Sequence, residues 1–595
     1  MREFSVAARV DPYPGTMADI LGEAATAAPQ RAMFARKVAG TWTDITAREF
    51  ATEVDALARG LRSAGIGAGD RVGLMARTRY EWTLCDFAIW AAGAVTVPIY
   101  ETSSAEQVAW ILSDSEAKAV FVESAAHVAT VSRVADRLPA LLHTWVIDDG
   151  LDTLVEDGAN VPAADLAAAR EGLTGSSPAT VIYTSGTTGR PKGCVLTHGN
   201  FIDLSRNAET VLPQVLNDPD ASTLLFLPLA HIFARFIQCL CVVTGPKLGH
   251  LEDPKALADT LGEFRPTFIL AVPRVFEKVY NAAEAKAEGD GKGDIFRTAA
   301  ATAIAWSRAK DGRGPGPVLA AKHLVFDRLV YRKLRARLGG RVQYAVSGGG
   351  PLGERLGHFF RGVGLVILEG YGLTETTAPA TVGTPDRVKI GTVGRPLPGV
   401  GIRIADDGEI LISGVNVLQE YFHNPQATAE ALRDGWFYSG DIGELDAEGY
   451  LTITGRKKEI IVTSNGKNVV PSQLEDRLRA HAVVSQCMVI GDNRPFISAL
   501  VTLDTEMLPA WLSNRNLPPM TVSEAARSPE VIAAVQAAVD DANTLVSKAE
   551  SIRKFVVIET DFTEDTGHLT PSLKLKRSSV LNDFGSQVEG LYAHS

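Results

Sequence analysis

The chain of 595 residues predicts an α/β protein, and three observations carry that prediction. Ala-rich helical stretches alternate with short apolar, β-branched runs over most of the length. That alternation implies crossover connections and mainly parallel sheets with helices packed on them. Several runs are followed at once by Gly-rich or turn-forming residues, and in parallel sheets ligands bind at the carboxyl ends of strands. After about residue 400 the pattern changes to short antiparallel strands, and after Arg456 a compact unit begins. A chain this long exceeds one core, so a large unit over residues 1–457 and a smaller α+β unit over 458–595 are expected.

In chain order, the expected strands are RVGLMA near residue 73, AVTVPIY, KAVFVE, TVIYTS, STLLFLPL, FILAVP, VQYAVSG and LVILEGYG. The segment NAAEAKAEGDGKGD (281–294) is expected to be an exposed, mobile insertion. LVFDRLVYRKLRARLGGR (324–341) is expected to be a basic amphipathic helix, with Phe326, Val330, Leu334 and Leu338 on one face. IRIADDGEILISG and GYLTITG suggest antiparallel strands joined by Asp-Gly and Glu-Gly turns. Beyond Arg456, EIIVTS, the Asn465–Gly466 turn and KNVVP form a hairpin pattern. Ser472 and Glu475 have capping-box spacing and open the helix SQLEDRLRAH, and SQCMVIGD and FISALVTL follow as strands.

Composition narrows the function. The 46% hydrophobic and 22% charged content is that of an ordinary globular protein. A formal charge of −11 argues against a nucleic-acid binder, which carries a basic footprint. Five cysteines, Cys85, Cys194, Cys239, Cys241 and Cys487, are too few and scattered for a disulfide framework and form no CxxC pair. A reducing cytoplasm is the expectation. The first fifteen residues lack the apolar core of a signal peptide. The longest apolar stretch, FAIWAAGAVTVPIY from Phe87, falls short of the ~20 residues that span a bilayer. Contact with a membrane surface, at its inner face, is left open by the basic helix above.

Residues 183–193, YTSGTTGRPKG, pose the chemical question. The loop is not a P-loop, because Arg190 and Pro191 separate Gly189 from Lys192 and no Ser or Thr follows the lysine. Small residues still allow backbone N–H groups to approach an anion, Ser185, Thr187 and Thr188 can donate to phosphate oxygens, and Lys192 supplies a point charge. Alone, the stretch reads better as a polar turn with a solvated lysine. VQYAVSGGGP (342–351) leaves bare backbone beside a strand, where a flat ring fits. LVILEGYGLTET (365–376) offers Tyr371, Thr374 and Glu375, and FYSGDIGELD (437–446) places Asp441 in a Gly-flanked turn, where it can accept sugar hydroxyls. Each has a plain account as a tight turn, a core tyrosine or a solvated acid. Together they describe an ATP site with a divalent metal.

TSGTTGRPKG, GYGLTET, YSGDIGELD and GRKKEIIVTSNGKNVVP, in this order, resemble the AMP-forming acyl-adenylating superfamily over nearly the whole chain. VPIYETSSAEQVAWIL (97–112), LPLAHIFAR (227–235) and LTPSLKLKR (569–577) are most similar to bacterial long-chain fatty-acyl-CoA synthetases. The resemblance implies a large N-terminal domain of two αβ subdomains plus a small β-barrel, followed by a mobile C-terminal domain. It implies activation of a fatty acid with ATP to acyl-AMP and pyrophosphate, then transfer to CoA with release of AMP.

The resemblance also implies the site. Thr184, Ser185, Gly186, Thr187, Thr188, Gly189 and Lys192 would hold the β- and γ-phosphates, and Thr374 the α-phosphate. Glu375 would coordinate Mg²⁺. Gly349, Gly350 and Pro351 would flank adenine with Tyr371 stacked on it, while Asp441 and Arg456 would hold the ribose. LKLKR aligns the family's C-terminal catalytic lysine with Lys574, with Lys576 as competitor because Leu573 stands where relatives usually carry Gly. Lys458 would be the hinge between the two half-reactions, and the turn at Gly466 would enter the site on the CoA side. Gly455 stands where many relatives have Asp. His231, expected within an apolar helix, is a candidate gate between nucleotide and acyl pockets, and Arg235 one turn on falls where some relatives place an aromatic gate. Two rivals remain from sequence: transfer of the acyl group to a carrier-protein thiol, and a nucleotide-binding regulator without catalysis. Acyl length and oligomeric state are not legible.

Overall fold

The computed structural model describes residues 2–184, 190–570 and 573–593. Among these, four sheets lie before residue 457 and two beyond it. The largest sheet has seven strands. Val95–Ile99, Arg71–Met75, Ala119–Val122 and His143–Val146 run parallel, with Pro178–Thr184 parallel beside the first. Lys192–Thr197 and Glu420–Tyr421 complete one edge in antiparallel fashion. Every residue of Val95–Ile99 and Ala119–Val122 is buried. That explains their unbroken apolar sequence, since a sheet covered on both faces needs no polar alternation.

The second αβ unit is a five-stranded sheet. Phe268–Ala271, Tyr344–Ser347 and Val366–Leu373 are parallel, and Ala378–Val382 and Arg395–Pro396 add antiparallel. Its first helix is Pro273–Gly289 and the next is Gly293–Lys310. The expected mobile insertion at 281–294 is therefore mostly helical, with Asn281 and Ala283 buried. Its Ala and Glu content favours helix, and one face finds the core. A four-stranded sheet joins the two units, and a six-stranded antiparallel sheet built from Glu3–Ser5, Val400–Ile404, Glu409–Gly414, Leu432–Arg433, Trp436–Leu445 and Leu451–Arg456 supplies the small β unit.

Beyond residue 457 lie the hairpin Ile461–Val462/Asn468–Val469 and a three-stranded sheet of Val484–Ile490, Ile497–Leu503 and Ile552–Ile558. The helix Pro471–Arg479 starts one residue earlier than its sequence suggests, because Pro471 takes the first helical position. Ser472 and Glu475 form no capping box there. Glu475 turns inward instead, accepting from Val489 N at 2.7 Å and from Arg577. Two hydrophobic clusters hold only residues from Ile461 onward, and the other three hold none beyond Ile453. No cluster among the described residues bridges the two segments. Polar contacts such as Lys278 with Glu506 and Asn514 with Ala285 join them.

Candidate active site

The parallel strands of the five-stranded sheet deliver their carboxyl ends side by side, with Ser347 paired to Glu369 in register. After Ser347 the chain runs through Gly348, Gly349 and Gly350. Gly349 has φ +83°, a left-handed conformation that costs a side chain 1–2 kcal/mol or so. Val272 and Pro273 lie behind this shelf, 3.8 and 3.9 Å from where Cβ atoms on Gly349 and Gly350 would stand. Next door, a Cβ on Gly372 would collide with the Ala378 carbonyl at 1.4 Å, so the strand can fold back only because this residue is bare.

Tyr371 donates its hydroxyl to Asp441 Oδ2 at 2.7 Å, and Arg456 Nε donates to Asp441 Oδ1 at 2.9 Å. Antiparallel pairing of Trp436–Leu445 with Leu451–Arg456 sets Asp441 directly opposite Arg456. Asp441 thus lies inside a strand rather than in the expected turn, its glycine neighbour Gly440 taking a positive φ without ending the ladder. Burial pushes the Tyr371 hydroxyl well above the tyrosine range, and Asp441 adds to the effect, so Tyr371 stays a donor. Gly440 N donates to Glu409 at 2.9 Å, and Lys457 reaches Glu409 at 3.1 Å.

A second convergence surrounds Glu375. Tyr421 donates to Glu375 Oε1 at 3.0 Å, and Lys192 Nζ lies 5.1 Å from the centre of the Tyr421 ring. The short strand carrying Tyr421 pairs with that carrying Lys192, which is how the two sites meet. Thr184 faces Lys192 across the neighbouring pairing. Trp110 closes this end: its indole donates to Pro191 O at 2.9 Å and its ring receives Arg190 at 4.7 Å. Ser185, Gly186, Thr187, Thr188 and Gly189 lie outside the described residues. Thr374 starts a short 3₁₀ turn over Thr374–Thr376 directly before Glu375.

Lys574 comes from the other segment into this neighbourhood. Crowding by nearby protein groups pushes its ammonium below the usual lysine range, although the residue is exposed. The Arg456 guanidinium adds to that depression, and the Glu375, Asp441 and Glu459 carboxylates oppose it. Leu573 N and Lys574 N both donate to Thr570, and Leu573 takes φ +60°. Lys576 instead stands directly before the helix Arg577–Asp583, its side chain making no capping bond.

His231 is not inside a helix. It caps Ile232–Thr244, its Nδ1 accepting from Phe233 N at 3.2 Å. Burial, and then Lys574, push its imidazole down to about 4. The ring is therefore neutral, with its remaining proton on Nε2. Phe233 lies 3.5 Å from a Cβ built on Gly348, an aromatic at the shelf that the sequence reading did not single out. Arg235 does not stand open as a gate would. It is fully buried, its Nε donating to Asp86 Oδ2 at 3.0 Å, with the Trp90 ring centre 5.1 Å away. Thr96 and Gln238 donate to the same carboxylate at 2.8 and 3.0 Å.

Lys458 is exposed in the 3₁₀ turn Lys457–Glu459. Gly466 has φ +75° at the exposed hairpin tip, with open space where its Cβ would be. It is Lys574, not Gly466, that this arrangement brings to the site. Gly455 is bare for a local reason: a Cβ there would press on Val470 at 2.8 Å.

The metal expectation fits this donor set in one form. No group of three or more His, Cys, Asp or Glu among the described residues could hold a metal ion. A lone carboxylate, Glu375, sharing a cation with phosphate oxygens and water is how Mg²⁺ binds beside nucleotides.

A glycine shelf, an aromatic hydroxyl on a ribose-type carboxylate and a lysine delivered by a separate C-terminal unit define an adenylate-forming class of site. The AMP-binding enzyme family model matches residues 21–422 and the AMP-binding enzyme C-terminal domain model matches 458–595. The chain belongs to this family. It is 52% identical over 569 residues to long-chain-fatty-acid–CoA ligase FadD15 of Mycobacterium tuberculosis, covering 95% of each chain. It is 30% identical to human long-chain-fatty-acid–CoA ligase 1, covering 88% of this chain and 78% of that one. The adenylation domain of a carboxylic acid reductase from Segniliparus rugosus, solved with AMP, shares the fold with a TM-score of 0.75 at 20% identity, covering 97% of this chain and 94% of that one.

Proposed function

We propose that the protein joins long-chain fatty acids to CoA through an acyl-AMP intermediate. The observation that carries this reading is the Tyr371–Asp441–Arg456 cluster beside the glycine shelf, toward which a separately cored C-terminal segment turns Lys574. A carboxylate is a poor electrophile until adenylated. Its attack on the ATP α-phosphate needs alignment and charge neutralisation more than covalent help.

Each residue has a part. The glycine shelf, with Tyr371, receives adenine. Asp441, oriented by Tyr371 and Arg456, accepts the ribose hydroxyls. Lys192 and the 184–189 loop neutralise the β- and γ-phosphates, and Thr374 donates to the α-phosphate. Lys574 bridges the attacking carboxylate and the α-phosphate, a task suited to a compact mobile cation. Mg²⁺, when bound through Glu375, supplies further neutralisation of phosphate charge. Neutral His231, beside Lys574, separates the nucleotide from the acyl chain without adding positive charge. Residues 1–457 and 458–595 act as two domains turning about Lys458, which withdraws Lys574 and admits the Gly466 hairpin for thioester formation.

The test is a panel of fatty acids with ATP and Mg²⁺, following pyrophosphate exchange and then AMP release with CoA or with an acyl carrier protein. Fatty-acid-dependent exchange with release on CoA is expected. Exchange with release only on the carrier would establish the carrier-ligase alternative, and no exchange with any acid would establish a regulator that binds nucleotide without catalysis.

A membrane-surface contact has its own support. The face of Phe326, Val330 and Leu334 packs on the core. Val318, Leu324, Val325 and Leu329 are more than half exposed, next to exposed Lys322, Arg328, Arg332 and Lys333. No helix among the described residues is long and apolar enough to cross a membrane. Such a surface suits an anionic bilayer from which fatty acid is drawn. Co-sedimentation with anionic vesicles, abolished by Arg328, Arg332 and Lys333→Glu together, is expected; binding indifferent to the triple change removes the contact.

A further inference from the structure

We infer that Arg274 is a positioning residue for the adenylating half-reaction: it docks the C-terminal segment in the orientation that delivers Lys574. The inference rests on the role given above to Lys574. Arg274 is the second residue of the helix Pro273–Gly289. The two residues before it, Val272 and Pro273, are those that back the glycine shelf. Its guanidinium donates to Arg479 O at 3.1 Å, Val484 O at 3.4 Å and Asp504 Oδ2 at 2.9 Å, all in the C-terminal segment. On its own helix it also reaches Glu277 at 3.1 Å.

Arg479 ends one C-terminal helix, Val484 opens the strand after it, and Asp504 follows the next strand. One side chain therefore grips two corners of the C-terminal fold. The five donors of a rigid fork suit that geometry as no lysine could. Asp504 is 5% and Glu277 8% exposed, so loss of the guanidinium leaves two carboxylates facing a partly dry boundary. The neighbouring contacts are weaker: an exposed Lys278–Glu506 pair at 2.7 Å, and Asn514 Nδ2 donating to Ala285 O at 3.0 Å. With no hydrophobic cluster crossing the boundary, the docked orientation depends on such polar contacts, and Arg274 makes the most buried of them. Polar boundaries also separate readily, as a contact remade in each cycle must. Because the grip begins one residue after the shelf's backing, nucleotide in the shelf and the docked segment share one rigid support.

The experiment compares Arg274→Ala, Arg274→Lys and Asp504→Asn in the full-length protein on two reactions. One is palmitate-dependent pyrophosphate exchange; the other is thioester formation from supplied palmitoyl-AMP and CoA. Asp504→Asn keeps Oδ1, which accepts from Glu506 N and Met507 N, so it tests the contact without disturbing the local turn. Exchange is expected to fall at least tenfold in Arg274→Ala and Asp504→Asn, with an intermediate loss in Arg274→Lys. Thioester formation is expected to stay within twofold in all three. Equal losses in both reactions, or exchange within twofold of the parent in both Arg274→Ala and Asp504→Asn, would overturn the inference. Lys574→Ala is run alongside. If it too retains exchange, the role of Lys574 fails; if it alone loses exchange, only the role of Arg274 fails.

Discussion

Tyr371 and Asp441, seventy residues apart, are joined by a hydrogen bond of 2.7 Å between a strand of the second αβ unit and a strand of the antiparallel sheet. The bond ties the strand beside the glycine shelf to the carboxylate proposed to accept the ribose hydroxyls. Arg456 Nε donates to the other oxygen at 2.9 Å, so the two bonds together hold the carboxylate in one orientation.

Removing that hydroxyl should loosen the carboxylate without removing it. Tyr371→Phe is expected to raise the ATP KM about tenfold, the equivalent of one charge-assisted hydrogen bond of about 1.4 kcal/mol. Asp441→Asn should cost more, because it also strips Arg456 of its anion. Initial rates against ATP concentration check the order of the two.

Two lysines compete for one role, and the geometry separates them. The Lys574 ammonium feels Arg456, Glu375 and Asp441, whereas Lys576 stands at the start of the helix Arg577–Asp583. Lys574→Ala is expected to lower pyrophosphate exchange at least a hundredfold, and Lys576→Ala to leave it within twofold. Exchange surviving the first substitution and lost in the second would reverse the assignment.

Arg235 should govern stability rather than chain length. Its fully buried pair with Asp86 means that Arg235→Met strands a carboxylate in the core, at a cost of about 3–5 kcal/mol. A fall of several degrees in the thermal midpoint is expected, with the relative rates across fatty-acid lengths unchanged. Asp86→Leu added to Arg235→Met should recover part of the loss.

Buried histidines and buried carboxyls pull the pH dependence of stability in opposite directions. His250 Nε2 meets the Thr83 hydroxyl at 2.7 Å, that hydroxyl donates onward to Gln238, and Nδ1 is a buried atom without a hydrogen-bond partner. Protonation would bury an unpaired N–H, and burial holds the imidazole down at about 4. Between pH 6.5 and 4 the unfolded chain therefore binds the extra proton, and His250 weakens the fold by about 1.4 kcal/mol per pH unit as pH falls. Glu369, pushed by burial up to about 7, does the reverse: the native state holds the extra proton, so its contribution is lost as pH rises toward 7. Urea midpoints from pH 7.5 to 5 should fall less steeply on acidification in His250→Gln than in the parent, and more steeply in Glu369→Gln.

The strand-forming runs, the Gly-rich turns after them and the family were legible in the sequence. Those features are local: β-branched runs, turn residues and motif spacing need only a few neighbours to express themselves. Their errors were local too, where a competing contact won. Pro471 displaced the capping box, a core-facing side made 281–294 helical, and capping drew His231 out of the helix interior. Only the tertiary structure decided that Tyr421 holds Glu375, that Arg235 spends its charge on Asp86, and that Arg274 joins the nucleotide shelf to the C-terminal segment. Each of those contacts closes a loop of 46 to 230 residues. Their partners are chosen by which strands and helices pack together, which no local pattern encodes.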